Sequence, residues 1–211
     1  IDFYESFLSK YCDLYSGYYN EMLKKYYIDD KIIDLIKNDD LDTIQILITK
    51  DEINALNDNL IKYSAQFGSI KCFNYFLMNN GKVDKYSLFS AVDGGNMEII
   101  KLTYQKLDDK DIKDILTYSN YSNENLLLMP IRKHQNEIYD WIYDQSIDKK
   151  VLYDYNINDI QLRSALYGNA YPIIQIIKNG LKHSCDEYEE IIENAAKNGF
   201  YKLMQLLLNL N

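Results

Sequence analysis

Laid over itself, the sequence repeats one pattern six times: a small or apolar pair, two variable residues, a Gly-like position, then a second apolar stretch. The clearest copy spans 88–102 and contains Ala91-Val92-Asp93-Gly94-Gly95-Asn96. Next come 61–77, with Ser64-Ala65-Gln66-Phe67-Gly68, and 192–208, with Ala195-Ala196-Lys197-Asn198-Gly199. Fainter copies run over 162–177 (Ala165-Leu166-Tyr167-Gly168-Asn169), 127–142 and 32–47. With the Gly-like position as anchor, the series is Asp39, Gly68, Gly95, His134, Asn169 and Gly199, at spacings of 29, 27, 39, 35 and 30 residues. A recurring period of this size marks a stacked array, because no single unit can bury its apolar face alone.

Each repeat reads as a helical hairpin. In the third, Leu88, Ala91 and Val92 fall on one helical face, with Ala91 small where two helices must approach closely. Gly95 ends that helix, since a left-handed backbone costs Gly nothing. Ile99, Ile100 and Thr103 form the buried stripe of the second helix. Asp39, Asn169 and His134 keep part of the anchor logic, because Asn, Asp and His are enriched in the left-handed region. Composition agrees. The chain holds 2 Pro and 8 Gly in 211 residues, against roughly 10 and 15 at average usage, so helix breakers are scarce and the expected class is all-α.

At this point the resemblance to ankyrin repeats is plain. The family pattern Leu-His-x-Ala-Ala-x-x-Gly-His-x-Glu-Ile-Val-x-Leu-Leu lies over 88–102 without a gap. Leu88, Ala91, Gly95, Glu98 and Ile99 match outright, and Val92, Asn96, Ile100 and Lys101 fit their places. The resemblance covers about residues 30–211, and its Tyr- and Asn-rich style is similar to the expanded ankyrin families of unicellular parasites and large DNA viruses. It implies an ankyrin-like helical-hairpin solenoid of about six repeats, near 30–50, 58–79, 86–107, 125–144, 160–179 and 190–211, within an array from 28 to 211. There are departures. The Thr-Pro-Leu-His opening is absent throughout, so short hairpin fingers are expected. Pro130 stands at an Ala position and should disturb the first helix of the fourth repeat unless it sits in that helix's first turn. Ile112, Ile115 and Leu116 in the 108–126 insertion suggest an extra helical turn or two.

Residues 1–27 stand outside the repeat. Phe3, Phe7, Leu8, Tyr11, Tyr15, Tyr18, Tyr19, Met22 and Leu23 recur mostly at three- and four-residue spacing, as amphipathic helices would, and are expected to cap the first repeat. At the other end Leu203, Leu206, Leu207, Leu208 and Leu210 make a poor cap. Further chain, or a partner such as a second copy through self-association, is expected there.

Charge and motif content narrow the function. A formal net charge of −9 argues against a non-specific grip on nucleic acid, which needs clustered Lys and Arg. Cys12, Cys72 and Cys185 form no CxxC and no disulfide framework, so reduced thiols in an intracellular, cytoplasmic setting are expected. No apolar run reaches membrane-spanning length, and no secretory leader is expected. Phosphate-binding glycine loops and a nucleophile elbow are missing. His183-Ser184-Cys185 supplies two ligands at most, short of a metal site. Acidic pairs such as Asp29-Asp30, Asp39-Asp40, Asp108-Asp109 and Glu189-Glu190 read mainly as helix caps. No cofactor, metal or catalytic residue is expected, and the chain reads as a non-enzyme.

The resemblance implies a protein partner bound on the concave face of the solenoid, through the finger loops and the variable pair at the end of each first helix. On this sequence those positions give Gln66, Phe67, Asp84, Tyr86, Asp93, Arg132, Lys133, Tyr167 and Lys197 as the partner-binding candidates. The expected role is a protein–protein interaction scaffold. The alternatives are a recognition module of a larger parasite or viral effector, or a small-ligand or enzymatic site in the 108–126 insertion.

Overall fold

A computed structural model describes residues 30–50, 58–117, 126–148, 157–178 and 185–210. The expected cap over 1–27 and His183 lie outside the described residues. Among the described residues every regular element is an α-helix, as the scarcity of Pro and Gly predicted. The chain divides into two compact units, Ile1–Val83 and Asp84–Asn211.

In the N-terminal unit, α1 (Asp30–Lys37) pairs with α2 (Leu41–Thr49), and α3 (Asp58–Gln66) with α4 (Ile70–Met78). First helix also packs on first helix, α1 on α3, and second on second, α2 on α4. Ile36, Ile44, Leu60, Ile61, Cys72, Phe73 and Phe76 are its buried core. The C-terminal unit repeats this scheme with α5 (Lys85–Gly94) and α6 (Met97–Lys106), then α8 (Leu128–Arg132) and α9 (Asn136–Asp148). Next are α10 (Ile157–Tyr167) with α11 (Ala170–Lys178), and α12 (Cys185–Lys197) with α13 (Tyr201–Leu210). The first helices α5, α8, α10 and α12 pack on one another in that order. Between α6 and α8 the insertion forms α7 (Asp109–Thr117), which packs on α5 and buries Ile112, Ile115 and Leu116.

One local device closes most of these hairpins. In five of the six, the residue after the anchor donates its N–H to the carbonyl five residues back, while the anchor N–H donates three residues back. Ser69 N bonds Ser64 O and Gly68 N bonds Ala65 O; Phe200 N bonds Ala195 O and Gly199 N bonds Ala196 O. This paired closure is the Schellman motif, and it requires a left-handed residue between the two helices. Asp39 (φ 52°), Gly68 (69°), Gly95 (77°), His134 (56°), Gly168 (71°) and Gly199 (72°) supply it. The fifth anchor is therefore Gly168 and not Asn169. With a Gly available one residue earlier, the strained position falls to the residue without a Cβ. Asn169 instead stands at the N-terminus of α11, where its Oδ1 accepts from Tyr171 N at 3.2 Å. The corrected register aligns Ser164-Ala165-Leu166-Tyr167-Gly168 with Ser64-Ala65-Gln66-Phe67-Gly68, and both serines are buried with Oγ donating to the carbonyl four residues back.

The anchor residue is followed by a helix N-terminus, and polar side chains there close it. Asp40 accepts from Thr43 N at 3.1 Å, and Asn96 accepts from Glu98 N and Ile99 N at 3.0 and 3.3 Å. Both prolines sit in first turns, Pro130 in α8 and Pro172 in α11, where a missing N–H costs the helix nothing. Pro130 thus meets the exception expected of it, and α8 is nonetheless short, 5 residues against 10 in α5.

Candidate recognition surface

Seven of the nine expected recognition residues lie where first helices end, one or two residues before a left-handed turn, while Asp84 and Tyr86 open α5. In the N-terminal unit, Gln66 ends α3 with its side chain exposed, and Phe67 follows it half-buried. Tyr63 stacks on Phe67 with ring centroids 6.2 Å apart and planes 9° from parallel. From the neighbouring hairpin the Lys37 ammonium lies 5.3 Å from the Phe67 centroid and also bonds Asp34 at 3.1 Å. Phe67 is thus a fixed aromatic plate, positioned by a stacking partner one helical turn back and by a cation on its face.

The base of this surface is polar and satisfied. Ser69 Oγ donates to Ile36 O, tying the second hairpin to the first. The Asp39 carboxylate accepts from Lys71 N and Cys72 N at 3.2 and 3.0 Å, so it closes the N-terminus of α4 rather than that of its own hairpin's second helix. Burial, with Asp39 alongside, pushes the Cys72 thiol up to about 12. A thiol held protonated at neutral pH is no nucleophile.

In the C-terminal unit Asp84 is a helix cap. Its Oδ1 accepts from Ser87 N at 2.9 Å while Asp84 N donates back to Ser87 Oγ at 3.2 Å, a reciprocal capping box. Tyr86, half-buried in the first turn of α5, has the Lys85 ammonium 5.6 Å from its ring centroid. Asp93 and Lys133 meet. Their side chains form an ion pair between neighbouring hairpins, and Lys133 Nζ also donates to the Asp93 carbonyl at 2.6 Å. These two candidates satisfy one another. Arg132 beside them ends α8 and is exposed. His134 Nε2 donates to the Tyr167 carbonyl at 3.1 Å, and Asn169 Nδ2 donates to Ile131 O and Asn136 Oδ1, each at 3.1 Å. Tyr167 is half-buried at the last residue of α10; Lys197, exposed at the end of α12, pairs with Glu193 at 2.7 Å.

The sequence reading missed the supports, Tyr63 and Lys37, and the Asp93–Lys133 pair. Each had a signal. Tyr63 precedes Phe67 by four residues, the helical stacking distance, and Asp93 and Lys133 are opposite charges at nearly the same place in consecutive repeats.

Other chemistry is sparse. Asp40 holds its carboxyl below the usual range through its hydrogen bonds from Thr43. Asp108 caps α7 by accepting from Asp111 N at 2.7 Å. Glu189 and Glu190, by contrast, lie exposed in the middle of α12 and cap nothing. Among the described residues no three or more His, Cys, Asp or Glu side chains group so as to hold a metal ion, and no helix is long and apolar enough to cross a membrane. Compared with protein-family models and with curated proteins, the chain finds no match.

Proposed function

We propose that this chain is an ankyrin-like repeat solenoid that acts, without catalysis of its own, as a scaffold binding another protein. One observation carries the reading. The side chain following an anchor donates to the carbonyl three residues before the preceding anchor: Ser69 to Ile36 in the N-terminal unit, and Asn169 to Ile131 in the C-terminal unit. Bonds in the same register are what a repeat stack needs to keep its hairpins in phase. In phase, the residues before successive turns fall into a row.

In the C-terminal unit that row holds the self-satisfied Asp93–Lys133 pair, then Arg132, Tyr167 and Lys197. With Lys133 paired to Asp93 and Lys197 to Glu193, the recognition character of the row rests on Arg132 and Tyr167. Such a strip suits an acidic, partly apolar protein surface, since Arg and Tyr dominate interface energetics. In the N-terminal unit Phe67, held by Tyr63 and Lys37, is the equivalent aromatic anchor.

The test is affinity capture from cell extract with the native chain and with Phe67→Ala, Arg132→Glu and Lys197→Glu. A bound protein should lose about tenfold or more in affinity per substitution, the scale of a modest hot spot, roughly 1.4 kcal/mol. Capture indifferent to all three would refute the reading.

A further inference from the structure

We infer that residues 1–27 form one more helical hairpin, turning at Gly17, which docks on the open side of α1–α2. The junction between α10–α11 and α12–α13 shows which positions meet when one hairpin follows another. There Ala165 and Ile173 of the former share a core with Ile191, Ala195, Leu203 and Leu207 of the latter. Counted from Gly168, a hairpin faces its successor through the residues three before and five after its anchor. Counted from Gly199, it faces its predecessor through those eight and four before the anchor and four and eight after it.

The hairpin α1–α2 is sealed on one side only. Its successor-facing residues, Ile36 and Ile44, are 0% exposed. Its predecessor-facing positions hold Lys31, exposed, and Leu35, Thr43 and Leu47, half-buried. In α3–α4 the same four positions are Leu60, Ser64, Cys72 and Phe76, at most 1% exposed. In the hairpins built on α8, α10 and α12 all four are buried as well. Leu35 and Leu47 thus stand where every hairpin with a predecessor in its own unit is covered.

The sequence before α1 selects its own occupant. Residues 1–27, outside the described part of the chain, belong to the same compact unit as α1–α4, and α3–α4 needs only 58–78 for a whole hairpin. Gly17 is the one glycine among them. With Gly17 as anchor, the successor-facing positions are Leu14 and Met22, both apolar like Ile36 and Ile44. The predecessor-facing positions are Ser9, Asp13, Glu21 and Lys25, all polar, whereas every later hairpin has at least two apolar residues there. A hairpin apolar towards its neighbour and polar towards solvent is what closes the end of a stack. The register is specific: an anchor at Asn20 would turn Gly17 and Lys25 inward. A second helix as long as α2 would end at Tyr27, leaving Ile28-Asp29 as the link to α1.

Hydrogen–deuterium exchange of the 211-residue chain, read by mass spectrometry, tests this. Met22→Glu puts a charge into the docked face and should speed exchange of α1 and α2 by roughly tenfold or more, while α8 to α13 keep their native protection. Glu21→Gln, one residue away on the outer face, should leave α1 and α2 unchanged. At the turn, Gly17→Asn should be tolerated, because Asn adopts the left-handed conformation, and Gly17→Val should open α1 and α2 as Met22→Glu does. The inference is overturned if Met22→Glu leaves α1 and α2 as protected as in the native chain, or if Glu21→Gln exposes them equally. Equal effects of Gly17→Asn and Gly17→Val would remove Gly17 as the turn, and the register with it.

Discussion

At the residue scale, the left-handed anchors are where identity matters most, and two glycines separate the reasons. Gly168 and Gly199 have nearly the same backbone, φ 71° and 72°. A Cβ at Gly168 would lie 2.7 Å from the Phe200 ring, whereas at Gly199 nothing stands within 4 Å. Gly199→Ala should therefore cost only the left-handed penalty, about 1 kcal/mol, while Gly168→Ala adds the displacement of a packed ring and should cost roughly 2–4 kcal/mol. Urea unfolding of the two variants measures the difference, and equal losses would remove the role given to Phe200. Cys72 offers a second prediction. Its ordinary value is 9.0 and burial raises it to about 12 in the folded chain, so between those values the folded state binds more protons than the unfolded one. Its contribution is complete below pH 9 and is lost as pH rises towards 12. Thermal melts should fall across that window, less steeply in Cys72→Ala. Iodoacetamide at pH 8 should spare Cys72 until urea is added, as peptide mapping would show. The anchors themselves were legible in the sequence, down to His134, because residues tolerant of positive φ are few. Asn169 was misread for the same reason: Asn also tolerates that conformation, and only the backbone distinguishes a turn residue from the cap beside it.

At the element scale, the hairpins depend on side chains that serve two helices at once. Asn169 accepts from Tyr171 N at the start of α11 and donates to Ile131 O in α8. Asn169→Ala removes a cap and leaves a buried carbonyl with one partner fewer, so it should cost about 2–3 kcal/mol. Asp84→Ala removes the capping box of α5 alone and should cost about 1 kcal/mol. Chemical denaturation ranks the pair, and a loss at Asp84 equal to that at Asn169 would mean that the inter-hairpin bond contributes nothing. Helix positions were readable because apolar spacing and anchors agree, and the α7 helix followed from Ile112, Ile115 and Leu116. The contacts between hairpins were not readable. Lys37 over Phe67 and Asp93 against Lys133 join residues whose separation in sequence is about one repeat, and a pattern that fixes each hairpin says little about which surface charges end up paired. The recognition row was thus legible as positions, while which of its members are already engaged within the fold needed coordinates.

At the scale of the whole molecule, a chain built of nearest-neighbour contacts should fail locally. Within the C-terminal unit each hairpin leans on the one before it, and the last junction closes around Ala165, whose side chain is 0% exposed between α10 and α12. Ala165→Leu has no room. It should force α12 away from α10, at a cost of about 1–3 kcal/mol for overpacking, and the damage should stay with the end of the array because no distant contact shares it. Urea unfolding should broaden into two steps. Hydrogen exchange should show α12 and α13 opening first while α5 and α8 keep native protection. Ala196 provides the internal control. It holds the equivalent place one hairpin later but is exposed, so Ala196→Leu in the single chain should change stability by no more than about 0.5 kcal/mol. A cooperative, one-step loss spread evenly over α5 to α13 after Ala165→Leu would instead describe a unit with a single shared core, and the reading of it as a stack of semi-independent hairpins would be wrong.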